Sequence, residues 1–223
     1  MKKLSIYIGL SLVIVLSFSG CRPGATDNTD ELKEKDDRIL VLEERVEKLE
    51  EELADVPFDS LPYRAGKTMK IIKNKDMNAL SQYVHPEKGL RFTPYPYVDI
   101  EKDQVFTAQE VANLMENETV MNWGAYDGSG EPIDLKFSDY YDRFVYDKDF
   151  INPQVIGNNT AIGQGNTTDN VKEAYPDGYF IEFHFSYFEP QYGGIDWENL
   201  KLVFEKHEGT WFLVGIIHGE WTI

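Results

Sequence analysis

The last strand-like stretch of the chain carries the best-placed candidates for acid/base chemistry. Alternate side chains of an extended strand share one face, so His218 and Glu220 are expected on the same side, about 7 Å apart. Phe212, Val214 and Ile216 are expected on that face as well. An imidazole and a carboxylate at this spacing are a candidate catalytic acid and base. A histidine at a strand end that faces solvent is the alternative interpretation.

Aromatic and charged residues are densest between residues 140 and 146. On a helix, Tyr140 and Phe144 lie on one side, and Asp139 and Arg143 are spaced to pair. One interpretation is an amphipathic helix with a single ion pair. The other is a ligand site at the open end of a domain that binds a small polar or aromatic molecule. Its wall is then formed by Trp123, Tyr140, Arg143 and His218.

The sequence predicts no metal site and no cofactor. No two of the four histidines have the i, i+4 spacing of a helical zinc motif. The segment from Asp127 to Glu131 begins with alternating oxygen ligands but lacks the later glycine and glutamate of a calcium-binding EF-hand loop, which favours a simple turn. The sequence also contains no serine protease-like triad, phosphate-binding loop or dinucleotide fingerprint.

The elements that position these residues are clearest in the last forty-five residues. Apolar residues alternate from Tyr179 to Tyr187, which predicts a half-buried strand. A second strand is predicted through Phe204, a hairpin turn at Glu208 and Gly209, and an apolar central strand over residues 211–217. The two-residue turn predicts that Phe204 pairs with Leu213, Leu202 with Gly215 and Leu200 with Ile217.

Helices are predicted before these strands. One helix spans residues 63–84 with a break at residues 74–76, and a capping box of Thr107 and Glu110 begins another that runs through Met115. Short strands are predicted at residues 123–126 and 133–137. Ser138 is expected to cap a helix over residues 139–145, and residues 152–170 are expected to be irregular.

The N-terminus has the pattern of an export signal. Lys2 and Lys3 precede an apolar run that is too short for a confident membrane span, and the run ends at Cys21. Ser19, Gly20 and Cys21 resemble the lipobox of bacterial lipoproteins, although Phe18 departs from its usual aliphatic residue. The resemblance implies removal of residues 1–20 and attachment of diacylglycerol and an acyl chain such as palmitate to Cys21. The protein is then expected on the outer face of the cytoplasmic membrane. An uncleaved signal anchor is the alternative.

A tether and a heptad repeat follow the signal. Residues 21–30 are small and polar, which is typical of a flexible spacer. Residues 31–56 repeat apolar side chains with a coiled-coil period: Leu32, Ile39, Leu42, Val46, Leu49, Leu53 and Val56. The pattern favours a parallel homodimer through residues 32–56, and a single amphipathic helix that packs on its own globular domain is equally compatible with it.

The composition limits the possible partners. The formal net charge is −17, and removal of Lys2 and Lys3 leaves 20 basic and 39 acidic residues, or −19. Nucleic acid is therefore not an expected partner, because phosphate binding requires a cationic surface. The single cysteine excludes an intramolecular disulfide.

Residues 61–223 resemble uncharacterised lipoproteins of Gram-positive spore-forming bacteria. The resemblance is carried by the segments LSQYVHPEKGLRFTPYPYVD, WGAYDGSGEPIDL, YYDRFVYDKDF and WENLKLVFEKHEGTWFLVGIIHGEWTI. It implies no activity. The order of elements is similar to that of the nuclear transport factor and ketosteroid isomerase cone. The expected fold is therefore α+β: an N-terminal coiled-coil helix and one cone-like domain, residues 57–223, of helices packed on a curved antiparallel sheet.

Three functions are compatible with these features. The first is a non-catalytic binding or interaction module that is anchored by lipid outside the cytoplasm. The second is an isomerase- or dehydratase-type enzyme with its site in the cone. The third is a structural dimer of the cell envelope.

Overall fold

The protein is described by a computed structural model that covers residues 29–54 and 60–222. These residues belong to two compact units, divided between Asp55 and Val56. Within the described residues, no helix is long and apolar enough to span a membrane. The predicted signal peptide, Cys21 and most of the predicted tether lie outside these residues.

The first unit contributes helix α1, Thr29–Ala54. It begins two residues before the predicted start at residue 31, and the residues directly after it lie outside the described part of the chain. Three apolar side chains of its heptad stripe, Ile39, Leu42 and Val46, are more than half exposed on the single chain.

Two short helices open the second unit. α2 spans Leu61–Lys73 and α3 spans Met77–Ser81, which confirms the predicted break between them. Lys75 has a left-handed backbone with φ of 53°, which no α-helix can contain. Asp76 then caps α3, because its carboxylate accepts a hydrogen bond of 2.9 Å from the amide of Ala79.

Three more helices follow. α4 spans Ala108–Asn113, continues into a 3-10 turn at Leu114–Glu116, and begins at the predicted capping box of Thr107 and Glu110. α5 spans Phe137–Phe144 and α6 spans Val171–Ala174. The prediction that Ser138 caps α5 is wrong: Lys136 occupies the cap position, and the helix starts at Phe137, whose side chain is fully buried.

A curved six-stranded sheet forms the centre of this mixed α+β unit. The strands are β1 Leu90–Thr93, β2 Gln104–Phe106, β5 Val155–Asn158, β6 Tyr179–Phe185, β7 Glu198–His207 and β8 Thr210–Glu220. Their order across the sheet is β2-β1-β8-β7-β6-β5. The sheet is antiparallel except that β1 and β8 are parallel, which corrects the expectation of a purely antiparallel sheet. β5 lies within residues that were expected to be irregular. A separate hairpin contains β3 Met121–Ala125 and β4 Pro132–Leu135.

The β7–β8 hairpin contains a bulge that no sequence pattern predicts. Glu208 and Gly209 both have positive φ and form the expected turn, and Phe204 pairs with Leu213 as expected. Val203 then pairs with Gly215, so β8 has one extra residue at this point. The predicted pairs further along are wrong, and the observed pairs are Leu202 with Ile216 and Leu200 with His218.

The sheet separates two layers of core, and the bulge changes which layer the later residues of β8 join. On the first face, Leu213 and Ile216 join a large core formed with α2 to α5. On the second face, Val214 and Ile217 join a smaller core with Val171 of α6. A β-carbon on Gly215 would lie 2.9 Å from the hydroxyl of Tyr175 in this second layer. His218 therefore lies on the first face, whereas Val214 does not.

Candidate functional site

His218 points into the protein. Its side chain is fully buried, and its ring contacts Phe144 edge to face at a centroid distance of 5.6 Å. Nδ1 lies 3.2 Å from the carbonyl oxygen of Pro94, and a contact with a carbonyl requires that Nδ1 carry the proton. Nε2 lies 3.5 Å from Oδ1 of Asp147. The alternative of a solvent-facing histidine is therefore wrong.

Glu220 has a different partner. The Arg143 guanidinium donates a hydrogen bond to Oε1 of Glu220 and also lies over the ring of Phe144, with 4.5 Å to its centroid. Arg143 thus connects α5 to the end of β8, instead of pairing with Asp139 along the helix. His218 and Glu220 do not form an acid/base pair in the structure. His218 contacts Pro94 and Asp147, whereas Glu220 pairs with Arg143.

Trp123 and Tyr140 stack against each other in the first core. Their ring centroids are 3.9 Å apart, and both side chains are buried. The Trp123 indole donates a hydrogen bond of 2.9 Å to the carbonyl of Leu135. Burial raises the pKa of Tyr140 well above its ordinary value, so its phenol is neutral. Of the four residues expected to line one ligand site, these two stabilise the core, and His218 is fully buried next to Phe144 and Asp147.

Two carboxylates and a lysine lie on the Nε2 side of the His218 ring. Asp147 follows α5, and Glu198 begins β7 opposite Glu220. The Lys148 ammonium lies 3.0 Å from Oε1 of Glu198 and 3.5 Å from Oδ2 of Asp147. The side chains of Asp147 and Glu198 are only 10% and 15% exposed. We call Asp147, Glu198 and His218 the inner cluster.

The carboxylates of the inner cluster affect each other. Burial and the charge of Asp147 raise the pKa of Glu198 to about 8. Burial acts in the same direction on Asp147, but the contacts with His218 and Glu198 and the charge of Lys148 outweigh it and lower its pKa. No sequence pattern predicts this cluster, because its members lie on three separate segments. A run of Asp and Lys directly after an amphipathic helix was the only local signal.

An open cleft of about 680 Å³ lies beside the β3–β4 turn. Its wall is formed by Pro94, Tyr95, Tyr97 and Asp103 and by residues 123–130 and 166–167. Three tyrosines and two aspartates contribute to the wall: Tyr95, Tyr97, Tyr126, Asp103 and Asp127. None of the described residues that line it is Lys, Arg or His. Trp123 also belongs to the wall, although its ring packs into the core behind it.

The two aspartates of the cleft differ in environment. Asp127 forms the predicted turn, and its carboxylate accepts hydrogen bonds of 2.6 Å from both Thr167 and Thr222, which lower its pKa. Asp103 is largely buried and accepts hydrogen bonds from the Thr93 hydroxyl and the Asp99 amide. Burial raises the pKa of Asp103 to about 6, and these bonds only partly oppose the effect.

A buried charge network on the second face holds the loop that borders the cleft. Glu182 is fully buried and accepts hydrogen bonds from the amides of Ile162 and Gly163, at 3.0 and 2.9 Å, and from the Asn199 side chain at 2.6 Å. The Lys201 ammonium, which is also buried, lies 3.7 Å from Glu182. Ile162 and Gly163 are thereby held against β6 and β7, in the loop whose Asn166 and Thr167 line the cleft.

Comparison with known proteins adds one similarity. No protein-family model and no curated protein matches the chain. Among solved structures, the designed protein Rd1NTF2_05 with five substitutions is 14% identical. The match covers 70% of this chain and 94% of the designed chain, with a TM-score of 0.28.

Proposed function

We propose that the protein is a lipid-anchored, non-catalytic binding protein outside the cytoplasm and that the cleft beside the β3–β4 turn binds a small organic cation. The observation that carries this proposal is the wall of the cleft, which combines three tyrosines and two aspartates without a cationic side chain among its described residues. Aromatic faces and carboxylates together attract ammonium groups.

The chemistry of Asp103 supports a cationic ligand. A largely buried carboxylate with a pKa of about 6 is ionised at neutral pH at a cost in free energy. A cation in the cleft offsets that cost, whereas an anion increases it. The net charge of −17 also favours the approach of cations over long distances.

A pair of isosteric probes tests the proposal directly. Choline and its uncharged isostere 3,3-dimethylbutanol have the same shape, so a difference in their affinity measures the contribution of charge. In calorimetry, we expect choline or a related quaternary ammonium ion to bind at least tenfold more tightly than the neutral isostere. Equal affinity for both, or no binding across a panel of quaternary, primary and polyamine cations, would refute the proposal.

Matched variants locate the site. Tyr97 is 53% exposed in the wall of the cleft, and Tyr187 is 49% exposed outside it. One cation–π contact contributes about 1 kcal/mol, so Tyr97→Ala should weaken cation binding about fivefold. Tyr187→Ala should leave it unchanged. Equal losses in the two variants would place the ligand elsewhere.

A second candidate function, acid/base catalysis in the same cleft, is favoured by the pKa of Asp103. A carboxyl group with a pKa of about 6 in a cavity wall suits a catalytic base for an isomerase or dehydratase. Turnover of a bound cation that falls in Asp103→Asn by far more than the affinity falls would establish catalysis. Binding without turnover favours the non-catalytic function.

The anchor is proposed from the N-terminal sequence. Cys21 follows a positively charged start and an apolar run, so acylation there holds the protein on the outer face of the cytoplasmic membrane. Metabolic labelling with an alkyne fatty acid should mark the wild-type protein and not Cys21→Ser. Label that persists in the variant would contradict this assignment.

Dimerisation through residues 32–56 is proposed from the heptad pattern of α1. Leu42 occupies the predicted interface, and Leu40, which is exposed to a similar extent, lies outside it. Leu42→Lys should shift sedimentation from dimer to monomer, and Leu40→Lys should not. A wild-type monomer at tens of micromolar would rule out a structural dimer and favour the single helix.

A further inference from the structure

The inner cluster contains three polar atoms that have no hydrogen-bond partner. They are Oδ1 of Asp147, Oε2 of Glu198 and Nε2 of His218, and each of these atoms is buried. One ligand atom from each of the three side chains lies within 4.8 Å of the other two. Unsatisfied buried polar atoms are costly, and a cation held by all three side chains would supply each of them with a partner.

The geometry of His218 suits a cationic partner. Because Nδ1 faces the carbonyl of Pro94, Nε2 is directed towards Oδ1 of Asp147 at 3.5 Å. A metal ion that accepts the Nε2 lone pair would lie between this nitrogen and the carboxylate, where it would offset the buried negative charge. A histidine that ligates a metal commonly donates its second N–H to a backbone carbonyl in this way.

The ligand types and their spacing favour a transition metal ion. One imidazole nitrogen and two carboxylate oxygens suit zinc, manganese or cobalt, which bind such atoms at about 2.0–2.2 Å. Ligands at that distance lie about 3.3 Å apart in a tetrahedral site, close to the observed 3.5 Å between Nε2 and Oδ1. Lys148 contacts the opposite oxygens, Oδ2 of Asp147 and Oε1 of Glu198, so it orients the carboxylates without occupying the centre.

We propose that Asp147, Glu198 and His218 bind one divalent transition metal ion, with zinc as the reference ion. The ion ties the segment after α5 to the ends of β7 and β8 and leaves a coordination position free for water or a ligand. This site is separate from the cleft, since none of its three residues belongs to the wall of that cleft.

The test measures zinc binding by the full chain after removal of bound metals, in excess magnesium and at physiological salt. Every sample carries Cys21→Ser, because Cys21 is the only thiol of the chain. We expect one zinc ion per chain by competition with a chromogenic chelator. With cobalt, the electronic absorption bands of a nitrogen- and oxygen-ligated ion should appear.

The isosteric variant Glu198→Gln should weaken zinc binding at least tenfold and abolish the zinc-dependent rise in melting temperature. Glu220→Gln is the matched control, because Glu220 lies opposite Glu198 in the sheet but contacts Arg143 instead. A second control, His207→Gln, tests the His85–His207 pair, whose rings are 5.3 Å apart. Both controls should bind zinc within twofold of the parent.

Three results would overturn the proposal. Unchanged zinc affinity in Glu198→Gln would place the ion on surface carboxylates, and loss of binding in His207→Gln would place it at the other histidine pair. Absence of zinc, manganese and cobalt binding by the parent would show that a proton on His218, and no metal, occupies the gap next to Asp147.

Discussion

The buried Glu182–Lys201 network should dominate the stability of the second face of the sheet. Glu182→Gln keeps the size of the side chain but replaces one carboxylate oxygen with an amide group. That group cannot accept from the amide of Ile162 or Gly163, whichever it faces. The substitution also removes one of the two carboxylates next to the Lys201 ammonium. The other, Asp169, remains at 3.2 Å.

The magnitude of this change follows from the contacts. A hydrogen bond to a charged group contributes about 1.5–3 kcal/mol, and removal of one partner from a buried ion pair costs about 3–5 kcal/mol. These contributions overlap, so we expect the free energy of unfolding to fall by about 3–5 kcal/mol in urea titrations. Glu189→Gln, on an exposed loop, is the control and should change it by less than about 0.5 kcal/mol.

Amide hydrogen exchange provides a local readout. The amides of Ile162 and Gly163 should exchange faster in Glu182→Gln than in wild type, because they lose a buried acceptor. The double variant Glu182→Gln/Lys201→Met should recover part of the lost stability, since it removes a buried cation whose remaining carboxylate partner, Asp169, is partly exposed. Unchanged exchange at both amides together with a loss below about 0.5 kcal/mol would refute the reasoning.

The same network predicts a dependence of stability on pH. Burial alone would raise the pKa of Glu182, but His184, the charge of Lys201 and the two loop amides together lower it. A carboxyl group with a lowered pKa contributes stability above its unfolded value of 4.5, and that contribution is lost as the pH falls through the folded value. The difference in stability between wild type and Glu182→Gln should therefore shrink in acid.

Three further predictions concern other parts of the fold. The rise in the pKa of Asp103 from 3.8 to about 6 lowers the free energy of unfolding at neutral pH by at most about 3 kcal/mol. Partial exposure of the carboxylate to solvent reduces this loss to about 1 kcal/mol. Asp103→Asn should therefore be more stable than wild type at pH 7.5 by urea denaturation, with a difference that disappears near pH 4; a difference independent of pH would contradict this. Tyr141→Phe should cost about 1–2 kcal/mol by the same assay, because the buried phenol donates to the carbonyl of Ile72; no loss would show that this bond contributes nothing. Gly209→Ala should cost about 1 kcal/mol in thermal unfolding, since φ at this turn is 85°; a neutral effect would mean that the turn adopts another conformation.

Local patterns in the sequence determined the elements that depend on neighbouring residues. The capping box at Thr107, the turn at Glu208 and Gly209, and the break before Asp76 are short-range features, and the structure contains all three. The alternation of apolar residues in the last three strands likewise predicted a central β8. The heptads of α1 and the residues ending at Cys21 that resemble a lipobox are also local patterns, and they predict a stalk and an anchor.

Only the tertiary structure decided which polar groups meet. The bulge at Val214 and Gly215 shifts β8 by one residue, and a shift of one residue moves a side chain to the other face of a sheet. His218 therefore meets Asp147, which is 71 positions away in the chain, and Glu198 reaches the same point from β7. Glu220 instead meets Arg143. No local pattern encodes these partners from distant segments, so the sequence alone indicated an acid/base pair where His218 and Glu220 meet different residues.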